Sequence, residues 1–315
     1  MAESINTRIK ICKLYYEDGL SKVEIAEKTR LSRFKVAKIL EDAVSSGIVE
    51  INIKAPPGSH LELESELEKK YKIYRSVVTD TGPGIDDTKS AIGRAAASQL
   101  CEIIQDGDIL GIAWGSTIHK MVEAFPECKT IDNISVVQLT GGLHQVAEGF
   151  NPVDLTSKIA SKINGSKLYQ LFAPAIVDNK KTKEILLNES NIKSTIEQFS
   201  SINIAVVGIG SMHPSPSTML YRDGFITEEE LKTTANLNLA GDINSHFYND
   251  EGRPCDTIFD ERTIGIDLHQ LNRIRYVMAL ACGRNKVKAI HAALRGRIVN
   301  IIVTDKDTAE ALLAE

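Results

Sequence analysis

No apolar run in this chain approaches the ~20 residues needed to cross a bilayer; the longest, 202–210 and 276–282, are far shorter. Residues 1–13 carry no apolar segment of the kind a secretory leader requires, so a cytoplasmic protein without membrane contact is expected. Cysteine is sparse and scattered. The five thiols (Cys12, Cys101, Cys128, Cys255, Cys282) form no Cys-x-x-Cys and no Cys/His spacing suited to zinc, so neither a disulfide framework nor a structural metal is indicated. Neither Gly-x-x-x-x-Gly-Lys-Ser/Thr nor Gly-x-Gly-x-x-Gly occurs, so ATP and NAD are not implied and no cofactor is expected. Internal repeats and low-complexity tracts are also missing. What remains is 315 residues, 43% hydrophobic and 25% charged, the balance of a globular protein with room for more than one domain.

The formal net charge of −5 argues, taken alone, against a nucleic-acid partner, but the charge is unevenly spread. Residues 1–54 hold ten Lys/Arg against eight Asp/Glu, whereas the rest is strongly acidic. Within 28–40 stand five basic residues (Lys28, Arg30, Arg33, Lys35, Lys38) and no acidic one. That block lies inside an apolar-periodic segment, so it predicts one face of a folded unit. Ser21 with Glu24 three residues on is a capping box and predicts a helix start. Leu31 and Ser32 mark a short turn and a second N-cap. Val36, Ile39, Leu40, Ala43 and Val44 then repeat at helical spacing up to Gly47, which supplies a left-handed close. The alternation over 48–53 predicts a strand, and with it a wing. The whole is a helix-turn-helix pattern.

In such a unit the start of the second helix meets base edges and flanking cations meet phosphates. Ser32 caps that helix. Arg33 and Lys35 are the candidates for bases or phosphates in the groove, Phe34 for a thymine methyl, and Lys38, Lys28 and Arg30 for the backbone. The competing reading is a solvated basic face on a small helical packing unit.

Ala55-Pro56-Pro57-Gly58 bars helix continuation and places a domain boundary, dividing the chain into 1–54 and 55–315. Beyond it a helix is predicted over 61–71. Apolar runs predict strands near 76–78, 109–113, 134–139, 168–172, 202–207, 277–281 and 299–303. Helical patterns fall near 88–104, 151–163, 182–187, 228–234, 287–294 and 308–314. Such alternation implies an α/β domain with a mostly parallel sheet covered on both faces. Four glycine-bearing turns follow four of the strands: Gly111-Ile-Ala-Trp-Gly-Ser-Thr117, Thr140-Gly-Gly-Leu143, Gly208-Ile-Gly-Ser211 and Cys282-Gly-Arg-Asn-Lys286. In open parallel sheets, ligands sit beyond the carboxyl ends of strands, where glycine lets amides approach an anion and a helix start adds positive charge. Ser116 and Thr117 are candidates for a phosphate, or else they only cap their helix. Lys286 is a candidate cation, or else a surface lysine. Trp114 either lines a ligand pocket or packs in the core, and the core is the expectation. His213, with His119, His144 and Asp242, contains acid/base types, but no nucleophile motif accompanies them.

Read together, the chain resembles the SorC-type sugar-binding transcriptional regulators, a bacterial family that includes deoxyribonucleoside and glycolytic-gene regulators. The resemblance spans nearly the whole length. It rests on the order and spacing of Leu31-Ser32-Arg33, Gly47-Ile48-Val49, Gly111-Ile-Ala-Trp-Gly-Ser-Thr117, Gln138-Leu-Thr-Gly-Gly-Leu143, Phe172-Ala-Pro174, Gly241-Asp-Ile243, Ala281-Cys-Gly-Arg-Asn-Lys286 and Val303-Thr-Asp305. It implies an N-terminal winged helix-turn-helix domain and a large α/β effector domain similar to sugar-phosphate isomerases. It implies operator DNA and a phosphorylated sugar as partners, a homo-oligomer, typically a tetramer, and no catalysis. Carried over by position, Gly115, Ser116 and Thr117 fall at the phosphate with Lys286 nearby, and Asp242 and Asn151 toward sugar hydroxyls. Thr140, Gly141, Gly142 and Gly210 complete the candidate effector set. Thr140 stands where some members place a basic residue, which implies a different sugar or one phosphate fewer. Cys282 replaces the first glycine of a usual pair. The alternative function is a sugar-phosphate isomerase or deaminase with an accessory N-terminal domain.

Overall fold

The computed structural model describes residues 4–51, 59–128, 131–142, 151–216, 218, 221 and 224–315. The chain packs as two compact units, Met1–Pro56 and Pro57–Glu315.

In the first unit α1 (Ile5–Tyr16), α2 (Lys22–Thr29) and α3 (Arg33–Ser45) each begin at a serine that accepts an otherwise orphaned backbone amide. The capping box is made in full: the Ser21 hydroxyl accepts from the Glu24 amide at 3.3 Å, and the Glu24 carboxylate accepts from the Ser21 amide at 2.8 Å. Ile11 and Cys12 of α1, Ile25 of α2, and Val36, Ile39, Leu40 and Ala43 of α3 form one buried core. Each of the larger aliphatic side chains there contributes about 1.5–3 kcal/mol by leaving water. Helix α1 carries no strong periodic signal, and the sequence reading did not single it out. Arg30 makes the turn between α2 and α3 in the left-handed region (φ 56°, ψ 32°), and the Leu31 amide donates back to the Ala26 carbonyl at 3.2 Å.

The predicted wing strand is corrected in part. Gly47, at φ +75°, turns the chain so that the Val49 amide donates to the Ala43 carbonyl at 3.0 Å. That bond closes the end of α3, packs Ile48 and Val49 against the helical core, and leaves 48–51 without strand pairing. Residues 52 and 53 lie outside the described residues.

The second unit starts with α4 (Leu61–Tyr71) and β1 (Arg75–Thr79). It continues through α5 (Ile85–Ile103), β2 (Ile109–Ile112), α6 (Ser116–Ala124), β3 (Ser135–Gln138), α7 (Pro152–Ser161) and β4 (Lys167–Tyr169). Then come α8 (Lys180–Leu187), α9 (Ser190–Glu197), β5 (Ile204–Gly208) and β6 (Gly210–Ser211). After α10 (Glu228–Lys232) follow β7 (Leu239–Ile243), β8 (His246–Asn249) and α11 (Leu268–Leu271). The chain finishes with β9 (Tyr276–Leu280), α12 (Val287–Arg295), β10 (Ile301–Asp305) and α13 (Lys306–Ala314).

Seven strands pair in parallel in the order β1-β10-β9-β5-β2-β3-β4. Strands β5 and β10 read as continuous apolar runs rather than alternating ones because helices cover both faces of the sheet. The winding leaves β2 outward through β3 and β4, then returns to β5 on the other side of β2 and proceeds through β9 and β10. The gap between the ends of β2 and β5 is therefore a topological switch point of a Rossmann-like sheet. A second sheet, the antiparallel β6-β7-β8, was not anticipated. Its β7–β8 hairpin turns on Asn244 and Ser245, both at positive φ (52° and 69°), the conformation that two-residue hairpin turns require. Among the described residues no helix is long and apolar enough to cross a membrane, and no His/Cys/Asp/Glu cluster is arranged to hold a metal.

Candidate effector cavity and nucleic-acid face

At the switch point lies a cavity of about 300 Å³. One wall is the turn from β2 into α6: Trp114, Gly115, Ser116 and Thr117. Helix α6 begins at a glycine and has no side-chain cap, unlike α1, α2, α3, α7 and α8. Its first-turn amides and the partial positive charge of its N-terminus are therefore placed for an anion in the cavity. The turn after β5 supplies Gly208, Ile209 and Gly210, and the turn after β9 supplies Cys282 and Lys286. The Lys286 ammonium donates to the Ile209 carbonyl at 2.6 Å, tying these two turns together.

The small sheet delivers an acid to the same space. Asp242 on β7 pairs with Gly210 on β6, and only 8% of it is exposed. A Cβ on Gly210 would stand 1.9 Å from Asp242 Oδ1, so residue 210 must be glycine for the carboxylate to lie where it does. That Oδ1 has no hydrogen-bond partner among the described residues. A buried acceptor left unsatisfied by the protein suits a donor brought in by a ligand, such as a sugar hydroxyl. Burial pushes the Asp242 carboxyl above the usual carboxylate range, against the opposing pull of the Thr218 hydroxyl, Lys286, the Ser245 amide and His246. A raised acid stabilises the fold fully below the unfolded-state pKa of about 3.9 and loses that contribution as pH rises through its folded value. Asp242→Asn is accordingly expected to melt higher than the wild type at pH 8, with the gap closing as pH falls toward 4. It should bind effector more weakly throughout. Melting curves across that range check the sign.

The N-terminal unit presents a different surface. Val36, Ile39, Leu40 and Ala43 face inward on α3, and Arg33, Phe34, Lys35 and Lys38 stand exposed on the opposite side. Phe34 is 88% exposed, an unusual position for an aromatic ring in a protein without a partner. Lys28 and Arg30, at the end of α2, are exposed as well. The Ser32 hydroxyl is engaged in capping α3, accepting from the Lys35 amide at 3.2 Å.

Comparison with known proteins shows what kind of chain carries this cavity and this face. A family described as "Putative sugar-binding domain" matches residues 55–314. The chain is 30% identical to the Deoxyribonucleoside regulator of Bacillus subtilis (strain 168), over 97% of this chain and 96% of that one. It is also 30% identical to the Sorbitol operon regulator of Klebsiella pneumoniae, over 99% of both. It belongs to the SorC/DeoR-type family of sugar-binding transcriptional regulators. The crystal structure of the full-length sorbitol operon regulator SorC from Klebsiella pneumoniae superposes with a TM-score of 0.76 at 28% identity, covering 99% of this chain and 100% of that one. These relatives across the whole chain are transcriptional regulators, not enzymes, which sets aside the isomerase or deaminase alternative. His119 pairs with Glu123 at 3.3 Å, neither it nor His213 lines the cavity, and His144 lies outside the described residues.

In this SorC/DeoR-type regulator six of the ten candidate effector residues meet at the cavity: Gly115, Ser116, Thr117, Gly210, Asp242 and Lys286. Thr140, Gly141, Gly142 and Asn151 are not among the residues lining it. Gly141 serves packing, and the amides of both glycines are engaged. The Gly141 amide donates to the Ile264 carbonyl at 3.0 Å and the Gly142 amide to the Ala173 carbonyl at 2.9 Å, so neither is open to an anion. A Cβ on Gly141 would stand 2.4 Å from the Pro174 backbone. Thr140 is fully buried, and Asn151 caps α7 by accepting from the Val153 amide at 3.0 Å. Trp114 both packs against the main core and lines the cavity. Lys89, Thr218, Asn244 and Ser245 also line it, and the sequence reading passed over all four. Asn244 and Ser245 are turn-forming residue types but lack the Asn-Gly pair that announces a hairpin, and Lys89 carried no mark beyond helical periodicity.

Proposed function

We propose that this regulator controls a carbohydrate-utilisation operon and that a phosphorylated sugar in the switch-point cavity sets its operator affinity. The observation that carries the reading is the uncapped start of α6 facing the same cavity as Lys286 and the buried Asp242 carboxylate, whose Oδ1 has no partner among the described residues. The phosphate lies at Ser116 and Thr117 with Lys286 beside it, and Asp242 accepts from a sugar hydroxyl. The exposed side of α3 enters the major groove, Arg33 and Lys35 at base edges or phosphates and Phe34 against a thymine methyl, with Lys28, Arg30 and Lys38 on the backbone. By resemblance to its family the working unit is a cytoplasmic homo-oligomer, a tetramer. The sugar changes operator occupancy only through its differential affinity for the two states, a coupling of about 1–3 kcal/mol.

Fluorescence anisotropy of the full-length protein on its own upstream DNA tests both ends at once, titrated with sugar phosphates and their unphosphorylated parents. One phosphorylated sugar is expected to shift the curve while its parent does not. Arg33→Ala is expected to lower specific operator affinity by about ten- to hundredfold. Unchanged affinity in that variant would remove Arg33 from the interface.

A further inference from the structure

The cavity contains a second cation to which the proposed function gives no role. Lys89 stands on α5 one turn after Ile85, and both line the same space as Ser116 and Lys286. Its side chain is 20% exposed, and its one ion-pair contact among the described residues is with Asp86 at 4.0 Å. Asp86 is itself 87% exposed, and a carboxylate lying in water returns little to an ammonium withdrawn from it. Lys89, Cys282 and Lys286 all line this cavity of about 300 Å³, and the Cys282 thiol, pushed up by burial and by Asp305, is pulled back by both lysines. Asp242 is the one carboxylate among the described residues lining that space, and burial holds it above the usual carboxylate range. Two ammoniums lining one small volume favour an anion placed between them.

We propose that Lys89 is the second cation of the phosphate subsite, and that the Lys89–Lys286 pair selects a phosphate monoester in its dianionic form. The proposal rests on the reading of the ligand as a phosphorylated sugar and assigns it a charge state. An unphosphorylated sugar brings no charge to the pair, and a monoanion brings one where a dianion brings two. The titratable groups facing the pair are Asp86 on α5, Cys282 after β9, Asp305 at the end of β10, and Asp242 on β7 with His246 beside it.

Trp114 is the single tryptophan of the chain and lines the cavity, so its fluorescence reports occupancy without a label. The full-length protein is titrated with inorganic phosphate and with sulfate at pH 8 and pH 5.5, as wild type, Lys89→Met and Lys89→Arg. Inorganic phosphate passes from mostly dianion to mostly monoanion over this range, as a phosphate monoester also gains a proton, whereas sulfate stays dianionic and controls for titration of the protein. Wild type is expected to bind phosphate more tightly at pH 8 than at pH 5.5, with a smaller change for sulfate. Lys89→Met should weaken phosphate at pH 8 by about ten- to hundredfold, the range of one charge-assisted contact, and flatten its pH dependence. Lys89→Arg should stay within a few-fold of wild type. Phosphate-dependent melting supplies the same affinities if the fluorescence change is small. Wild-type phosphate binding in Lys89→Met overturns the second cation and leaves the subsite standing. A loss shared equally by Lys89→Arg marks a packing role and overturns it too. If the wild type binds no phosphate, the subsite itself falls, and the proposal with it.

Discussion

Gly210→Ala should lose the effector response while keeping operator binding. The added Cβ would meet Asp242 Oδ1 at 1.9 Å, Asp242 Cγ at 2.9 Å and Thr218 Cα at 3.3 Å. Neither neighbour has an easy retreat: Asp242 is 8% exposed and Thr218 1%, and β6 is only two residues long. Either the carboxylate leaves the cavity or β6 lifts from β7, and both remove the acceptor aimed at the ligand. Overpacking of this kind costs about 1–3 kcal/mol of stability. Loss of one charged hydrogen-bond acceptor costs about ten- to hundredfold in effector affinity. Chemical unfolding and the anisotropy titration read the two effects separately. Effector affinity equal to wild type would show that Asp242 does not meet the ligand.

Lys286→Met should be the more selective lesion. Lys286 is the N-cap of α12, where a cation faces the positive end of the helix dipole and is unfavourable for the helix. Against that stands its bond to the Ile209 carbonyl at 2.6 Å. The two oppose each other, so stability is expected to change by under about 1 kcal/mol, whereas effector affinity should fall by about a hundredfold as the anion loses a charged partner. Asp242 would also lose a cation that pulls its carboxyl down, so residual binding should become more sensitive to pH. Calorimetry of the variant with the effector found by anisotropy separates these effects. An intact fold with intact affinity would exclude the cation role.

The large parallel sheet is legible in the sequence because its central strands are buried on both faces, so β2, β3, β5, β9 and β10 stand out as apolar runs between helical patterns. The small sheet is not. Gly210–Ser211 is too short to have a period, Leu239–Ile243 is buried along its whole length, and its hairpin turns on Asn244-Ser245 rather than on the Asn-Gly that usually announces one. The site follows the same division. Gly115, Ser116, Thr117 and Lys286 follow strands directly, so their place at the carboxyl edge comes with the fold. Lys89 reaches the cavity only because α5 packs over β9 and β10, a tertiary fact with no local mark. Gly141-Gly142 shows the converse. A glycine after a strand signals close backbone approach, and the sequence does not say whether the approaching group is an anion or, as here at Gly141, the backbone of Ala173 and Pro174.

Arg30 holds a left-handed backbone that glycine would adopt freely, at a penalty on the order of 1 kcal/mol or more for a residue with a Cβ. The turn between α2 and α3 therefore carries a charged side chain against its own conformational preference, on a unit whose buried core is small. A glycine there would make the N-terminal unit easier to fold and remove one of the positive charges that lie nearest α3. On the proposed reading of α3, stability and grip on the operator are set in opposition at that residue, so variants selected only for robustness should drift away from arginine there.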